Sequence, residues 1–212
     1  MTRAVWDISG NHLYHAGVDR GMLYPSPVLG VAWNGLVSVT ESPTGSAASP
    51  YYLDGQKVLN VPGGEDFEAT IESFATPPEF DTCAGRLGIA AGLIATDQPK
   101  TTFGFSYRTL IGNDVKGSSF AYKVHLVYNA LAKISDFTNE TTSSSSTIKT
   151  RTWSVTTVPV VVPGYRPTSH FTFDSRLIPG NTLVAIENIL YGVDSTDPRI
   201  MTTTELATLL AL

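Results

Sequence analysis

The fold is decided by the stretch from Phe120 to Lys133, which reads FAYKVHLVYNALAK. Its residues alternate in character: Phe120, Tyr122, Val124, Leu126, Tyr128 and Ala130 fall on one side, and Lys123, His125, Asn129 and Lys133 on the other. Successive side chains of a β-strand point to opposite faces, so this period of two predicts a strand. Its length is well beyond the usual five or six residues. We therefore expect a protein built on long strands.

Other segments repeat the same alternation. Phe67, Ala69 and Ile71 are separated by Glu68, Thr70 and Glu72, which places apolar groups on one face and carboxylates on the other. Further strands are predicted over residues 30–40, 51–53, 57–61, 102–108, 147–162 and 169–174. The pair Asp54-Gly55 between two of them predicts a tight hairpin turn.

The C-terminal segment, residues 179–212, has a different pattern. Leu183, Ile186 and Leu190 recur at helical spacing, and Gly192 is placed to end that helix. Thr202 and Glu205 then have the spacing of a capping box, which predicts a second short helix. The fold class expected is mainly β, a sandwich or barrel with short C-terminal helices.

Composition excludes several classes of function. The 212 residues include only 16% charged residues and carry a formal net charge of −5, against a usual charged content of about 25%. No apolar run is long enough for a membrane span or a signal peptide. A single cysteine forms no internal disulfide. An acidic chain is poorly suited to bind the phosphates of a nucleic acid. We expect a soluble protein with no membrane partner.

The histidines do not form a recognisable catalytic pattern. His12 and His15, with Asp19 nearby, offer groups that bind metals. A spacing of three residues in a strand places the two imidazoles on opposite faces, which favours two partly exposed histidines over a metal site. His125 and His170 fall on predicted strands, and we expect them at the solvent side or at an interface.

The remaining candidates for catalysis favour structural roles. Cys83 has no metal-spaced neighbour, so we expect a buried thiol. Glu68 and Glu72 belong to the densest acidic cluster, but the alternation places them in a row along one solvated face rather than across a cleft, as a glycosidase requires. The chain also lacks a Gly-x-Ser-x-Gly elbow. The sequence therefore predicts no enzymatic activity, no cofactor and no metal.

A series of segments spread over nearly the whole chain carries a family resemblance. These are GVDRGMLYP at 17–25, GVAWNGL at 30–36, YYLDG at 51–55, residues 69–80, FGFSYR at 103–108, and then residues 190–192 and 197–199. In this order they resemble the major tail proteins, or tail-tube proteins, of long-tailed bacteriophages, especially those that infect actinobacteria. Some members carry an extra immunoglobulin-like domain, for which this chain is too short.

The resemblance implies a single tail-tube domain, a β-sandwich with a flanking helix. It implies an N-terminal arm at residues 1–17, a β core at 18–178 with projecting loops at 41–50 and 135–147, and a helical segment at 179–212. It also implies homohexameric rings that stack into a hollow tail tube in the virion after assembly in the host cytoplasm. The implied partners are other copies of the chain, a tape-measure protein in the lumen, and double-stranded DNA that passes without specific binding.

Two sets of residues are candidates for these contacts. One of three strand faces is expected to line the lumen: Glu68 with Glu72, Lys123 with His125 and Lys133, or Lys149 with Arg151. We favour Glu68 and Glu72, because a basic lining would bind DNA and stall its passage. We expect the loop at 41–50 to stack rings, with the N-terminal arm. Its candidate residues are Ser42, Thr44, Gly45, Ser46 and Ser49.

Two alternatives remain open at this point. One is another ring component of the tail, a distal tail or terminator protein, which shares the sandwich and does not polymerise. The other is a carbohydrate-binding module, which requires exposed aromatic residues on a concave face. The residues available for it are Trp33, Tyr51, Tyr52, Trp153 and Tyr165.

Overall fold

The computed structural model describes residues 3–135, 137–141 and 148–210, and the architecture is mainly β. Of the predicted loop at 135–147, residues 136 and 142–147 lie outside this range. The strands are β1 (Leu13–Ser26), β2 (Leu29–Ala32), β3 (Leu36–Glu41), β4 (Thr44–Gly45), β5 (Ser49–Leu53), β6 (Gln56–Val61), β7 (Glu65–Asp66), β8 (Glu68–Ser73), β9 (Leu87–Ala90), β10 (Leu93–Ala95), β11 (Phe103–Asn113), β12 (Gly117–Ile134), β13 (Arg151–Thr157) and β14 (His170–Asp174). The helices are α1 (Phe80–Cys83), α2 (Gly180–Tyr191) and α3 (Thr203–Leu210). The predicted mainly-β class with short C-terminal helices is confirmed.

One eight-stranded antiparallel sheet organises the molecule. Its order is β2-β1-β11-β12-β13-β8-β3, and β14 also pairs with β12. The sheet curls until its two ends approach, so that Gly21 of β1 lies directly beside the side chain of Leu36, the first residue of β3. Within the described residues no ladder joins β3 to β1, so the sheet is an open, barrel-like curl.

The central strand β12 changes partner halfway along its length. Residues Lys123 to Val127 pair with β14, whereas Ala130 to Ile134 pair with β13. Asn129 lies between the two segments with a positive φ of 48°, and there the register with β11 shifts by one residue. This β-bulge reverses the facing of the side chains beyond it.

Because of the bulge, the alternation predicted for residues 120–133 is wrong beyond Asn129. Val124, Leu126 and Tyr128 share one face as predicted, but Ala130 packs into the core on the other face. A strict period of two fails wherever a strand contains an extra residue.

Both faces of the sheet are buried over much of its area. The concave face encloses an inner core in which Trp33, Phe80, Phe103 and Trp153 meet through tilted and edge-to-face contacts at 4.8–6.3 Å. The convex face of β1, β12 and β14 forms an outer core with the C-terminal helices, which contribute Leu183, Ile186, Leu190 and Leu206. Burying one such side chain fully is worth roughly 1.5–3 kcal/mol.

The C-terminal helices begin and end as the sequence predicts. Gly192, with a φ of 78°, follows the last residue of α2. At the start of α3, the backbone N–H of Glu205 donates to Thr202 Oγ1 at 3.2 Å, and that of Thr202 donates to Glu205 Oε2 at 2.9 Å. This reciprocal pair is the predicted capping box. Tyr24 and Tyr128 tie the helical segment to the sheet, donating to the carbonyls of Leu190 and Met201 at 2.9 and 2.7 Å.

Three predicted boundaries need correction. The strand predicted over residues 30–40 is two strands, because Asn34 and Gly35 (φ 103°) form a turn between β2 and β3. For the strand predicted over residues 147–162, residue 147 lies outside the described residues. Within 148–162 the strand is confined to β13, which ends before Pro159, a residue with no N–H for a ladder. The end of the proposed N-terminal arm, from Leu13 to Gly17, belongs to β1.

Among the described residues, none of the helices has the length and apolar character needed to cross a membrane.

Candidate functional site

A long hairpin projects from the sheet between the neighbouring strands β3 and β8. We define this long hairpin as residues 42–67; it contains the pairs β4–β7 and β5–β6. Its turn lies at Asp54 and Gly55, with φ values of 49° and 78°, which is the backbone of the tight turn that the sequence predicts. The predicted loop at 41–50 is therefore one limb of a hairpin.

The predicted stacking residues lie at the base of the long hairpin. Thr44 and Gly45 form β4, Ser49 begins β5, and Ser42 and Ser46 flank β4; all five are exposed. They are placed on a projecting limb, and their role in stacking stays a prediction.

The outer half of the long hairpin exposes apolar side chains. Every residue of β5 and β6 is exposed, because neither strand packs against the core. The exposed apolar residues are Tyr51, Tyr52, Leu53, Val58, Leu59 and Val61. Exposed apolar side chains grouped on one projection are typical of an interaction site, which makes the long hairpin the candidate site.

A second, shorter hairpin has the same character. This short hairpin, β9–β10, exposes Leu87, Ile89, Leu93 and Ile94. The chain therefore presents two apolar projections, each detached from the hydrophobic cores that stabilise the sheet.

Glu68 and Glu72 occupy the face of β8 that the alternation predicts. Ala69 and Ile71 point into the inner core, while both glutamates lie half-buried on the opposite face. Glu72 accepts hydrogen bonds from Ser38 Oγ at 3.2 Å and Thr150 Oγ1 at 2.6 Å. Within one chain this face borders no lumen, so the lumen assignment stays a prediction.

A polar cluster lies inside one end of the curled sheet. We define this inner cluster as Glu41, Tyr107, His125 and His170, which come from β3, β11, β12 and β14. Tyr107 donates to Glu41 Oε1 at 2.6 Å. His125 Nδ1 lies 3.1 Å from His170 Nε2 and 3.3 Å from Glu41 Oε1. Three potential metal ligands thus converge, with their ligating atoms all within 4.8 Å of one another.

Burial controls the protonation of the inner cluster. Removal from solvent lowers the pKa of His125 to about 4 and also lowers the pKa of His170, against the opposing effect of the Glu41 carboxylate. Burial likewise raises the pKa of the Tyr107 hydroxyl. Burial therefore favours the neutral form of both imidazoles.

The expectation that His125 faces solvent or an interface is wrong. Its side chain is buried, and its ring stacks on Tyr107 with centroids 4.5 Å apart. The two residues are direct cross-strand partners, a relation that becomes visible only when the register of β11 against β12 is known. Glu41 reaches them from the far side of the curl, which no local sequence pattern reveals.

The other candidate residues lie apart from the inner cluster. His12 is exposed beside Asp114, which raises the histidine pKa through a hydrogen bond at 3.0 Å. His15 lines a cavity near His125. Cys83 is buried, as expected, and burial raises its pKa.

The aromatic residues required by a carbohydrate-binding module do not share one surface. Trp33 and Trp153 are buried in the inner core, whereas Tyr51, Tyr52 and Tyr165 are exposed. Two of the five residues are thus unable to stack on a sugar.

Comparisons with known proteins do not assign a family. No family model matches the chain, and no curated protein matches it. Among solved structures, the chain is similar to one from the cryo-EM structure of the anti-feeding prophage baseplate, which was symmetrised six-fold. The TM-score is 0.36 and the identity 12%, with 84% of this chain and 99% of the other covered. A likeness this distant carries no functional assignment.

Proposed function

We propose that this chain is a structural tail protein of a bacteriophage. Its copies would form homohexameric rings that stack into the tube through which DNA leaves the virion, after assembly around a tape-measure protein in the host cytoplasm. The order of the resembling segments along the sequence supports this family. Under this proposal the chain performs no catalytic step.

The single observation that carries the proposal is the exposed apolar surface of the long hairpin. Tyr51, Leu53 and Leu59 are each more than half exposed in the isolated chain. Exposing them to water is unfavourable, and burial against a neighbouring copy would recover roughly 25 cal/mol for each Å² covered. Such a surface suits a protein that spends its working life in contact with its own copies.

The open edges of the sheet support the same proposal. β2 and β3 each end the sheet order, and among the described residues no strand pairs with their outer edges. Edges of this kind pair readily with other chains, and closed rings are one way to satisfy them. The sparse charge of the chain also suits extensive contact, because desolvating unpaired charges is costly.

The face of Glu68 and Glu72 is the proposed lumen lining. Carboxylates there would repel DNA phosphates and keep the passing duplex from binding. In an assembled ring, finding these two side chains at the outer wall would refute this assignment.

Electron microscopy of the purified protein tests the proposal directly. We expect stacked rings or tubes in concentrated samples of the wild-type chain. Single rings that never stack would instead indicate a distal tail or terminator protein, and particles that remain monomeric would contradict self-assembly altogether.

A variant of the long hairpin tests the observation that carries the proposal. Tyr51 and Leu59 face each other across β5 and β6, so the double variant Tyr51→Ser, Leu59→Ser removes one cross-strand apolar pair from the exposed surface. We expect tubes to be lost while the free energy of unfolding of the monomer changes little, because neither residue touches a core. The matched control is Leu177→Ser, at a position 81% exposed outside both hairpins. Normal tubes from the double variant would remove the long hairpin from the interface.

A further inference from the structure

The inner cluster contains the ligand types of a transition-metal site, on strands far apart in the sequence. We propose that Glu41, His125 and His170 bind a divalent transition-metal ion of the Zn²⁺ type. Two imidazoles and one carboxylate form a set of protein ligands found at Zn²⁺ sites, with a fourth position open to water. This inference is independent of the proposed function.

The spacing of the ligating atoms fits such an ion. Bonds of about 2.0–2.2 Å in a tetrahedral site place neighbouring ligand atoms roughly 3.4 Å apart. His125 Nδ1 lies 3.1 Å from His170 Nε2 and 3.3 Å from Glu41 Oε1. His170 Nε2 and the Glu41 carboxylate lie within 4.8 Å of each other, so all three ligating atoms are close enough to share one ion.

The second layer of contacts orients two of the three ligands. His125 Nε2 lies 2.9 Å from Thr109 Oγ1, so metal binding at Nδ1 would fix the tautomer in which Nε2–H donates to that hydroxyl. The hydroxyl of Tyr107 holds Glu41 Oε1 at 2.6 Å. Metal ligands are commonly oriented by such partners.

The surroundings allow a cation to enter. A cavity of about 230 Å³ reaches His170 and Glu41, and Glu65 and Asp66 also line it. Their carboxylates favour the approach of a cation. A second cavity also reaches His125 and Glu41, and Lys123 and His15 are among the residues that line it. The side chain of Glu41 is 40% exposed, which leaves room for a water ligand.

The bound ion would cross-link the strands β3, β12 and β14. Glu41 is the last residue of β3 and directly precedes the long hairpin, whereas His125 and His170 belong to β12 and β14. A bound ion would therefore fix the base of the projection to the centre of the sheet.

Binding of Co²⁺ and Zn²⁺ to the full chain tests the site. We expect one equivalent of Co²⁺ to give visible absorption bands typical of a tetrahedral site and Zn²⁺ to displace it, with calorimetry giving the Zn²⁺ affinity. Glu41→Gln and His170→Gln should each weaken Zn²⁺ binding by about 100-fold or more. Removing a residue that only orients a ligand already lowers metal affinity by about 10- to 100-fold, and these variants remove a ligand itself.

Two controls separate this site from other histidines. His15→Gln changes a cavity-lining residue outside the ligand set, and His12→Gln removes the exposed histidine beside Asp7 and Asp114. Both variants should bind Zn²⁺ as the wild-type chain does. Loss of binding in either control, or a wild-type chain with no saturable Co²⁺ or Zn²⁺ binding, would overturn the proposal.

Thermal unfolding of the wild-type chain gives a second readout that needs no variant. An ion that binds only the folded state raises the Tm as its concentration rises. We expect Zn²⁺ to raise the Tm and a chelator to reverse the rise, whereas an unchanged or lowered Tm would count against the site.

Discussion

Asn129 determines how the central strand connects the two cores. Its φ of 48° places it in the left-handed region, which costs most side chains about 1–2 kcal/mol. Asparagine tolerates this conformation better than other residues with a Cβ, and the Asn129 side chain also donates to the carbonyl of Val158 at 3.3 Å. Before the bulge, the even-numbered residues Val124, Leu126 and Tyr128 face the helices, whereas the even-numbered Ala130 and Ala132 beyond it face the inner core.

Substitution of Asn129 should reveal this conformational cost. We expect Asn129→Val to destabilise the chain by about 1–2 kcal/mol, because a β-branched residue is strained at this φ. Asn129→Gly should cost much less, since glycine adopts the conformation freely. The measurement is the free energy of unfolding from urea denaturation.

Asn60→Val is the matched control for this pair. Asn60 lies exposed in β6, without a positive φ, so its replacement should leave the free energy of unfolding nearly unchanged. Equal costs for the valine and glycine variants at position 129 would contradict the role assigned to its backbone.

At the level of elements, α3 depends on one carboxylate. Glu205 accepts hydrogen bonds from the backbone N–H of Thr202 and from Arg199 Nη1, both at 2.9 Å. The Arg199 guanidinium is the main reason that the pKa of Glu205 falls from 4.5 to about 2. The same carboxylate thus caps α3 and anchors the segment that precedes it.

Glu205→Gln should destabilise the chain by about 0.5–1 kcal/mol at pH 7, because it removes the ion pair with Arg199 and the negative charge at the helix N-terminus, while the amide oxygen still accepts from Thr202. A depressed folded-state pKa gives stability that is complete above the unfolded-state pKa and declines as the carboxylate is protonated. The difference between wild type and variant should therefore be constant above about pH 4.5 and shrink towards pH 2. Urea denaturation across this range measures it, and a difference that persists undiminished at pH 2 would contradict the assignment.

The elements that local patterns specify were predictable. β8 follows its alternation, Asp54-Gly55 forms its turn, and Thr202 with Glu205 forms its cap. The break at Asn34-Gly35 also had a local signal, since asparagine followed by glycine favours a turn. The bulge at Asn129 did not, because it depends on which strand lies beside each half of β12.

The inner cluster was not predictable from the sequence, for a related reason. Its members come from four strands, and the contact between Glu41 and His125 exists only because the sheet curls. For the long hairpin, in contrast, the sequence already showed the apolar residues and the two strands that carry them. Alternation there suggested ordinary strands, and only the structure shows that no core covers them.

At the level of the whole molecule, the long hairpin is separable from the cores. Gly45 and Glu65 face each other across β4 and β7, so a two-residue Asn-Gly turn can replace residues 46–64. Almost all of the excised residues are exposed. We expect the free energy of unfolding to remain within about 1 kcal/mol of wild type, because loop length and surface residues contribute little.

The same excision should abolish tube formation. Urea denaturation measures the stability of the shortened chain, and electron microscopy measures its assembly. Excision is sharper than removal of residues 42–49 alone, which would take away β4 and leave β7 unpaired. A stable shortened chain that still forms tubes would show that rings stack without the long hairpin.

The pairing of β1 with β11 has a consequence for biosynthesis. These strands adjoin in the sheet, yet more than seventy residues separate Ser26 from Phe103 along the chain. At about 5–20 residues per second, β1 emerges from the ribosome on the order of ten seconds before its partner. The convex face stays uncovered until α2 and α3 are translated. Nascent chains on one polysome thus expose unpaired strands to each other. Slow synthesis, or dense loading of ribosomes on the mRNA, should therefore increase the fraction of chains that aggregates.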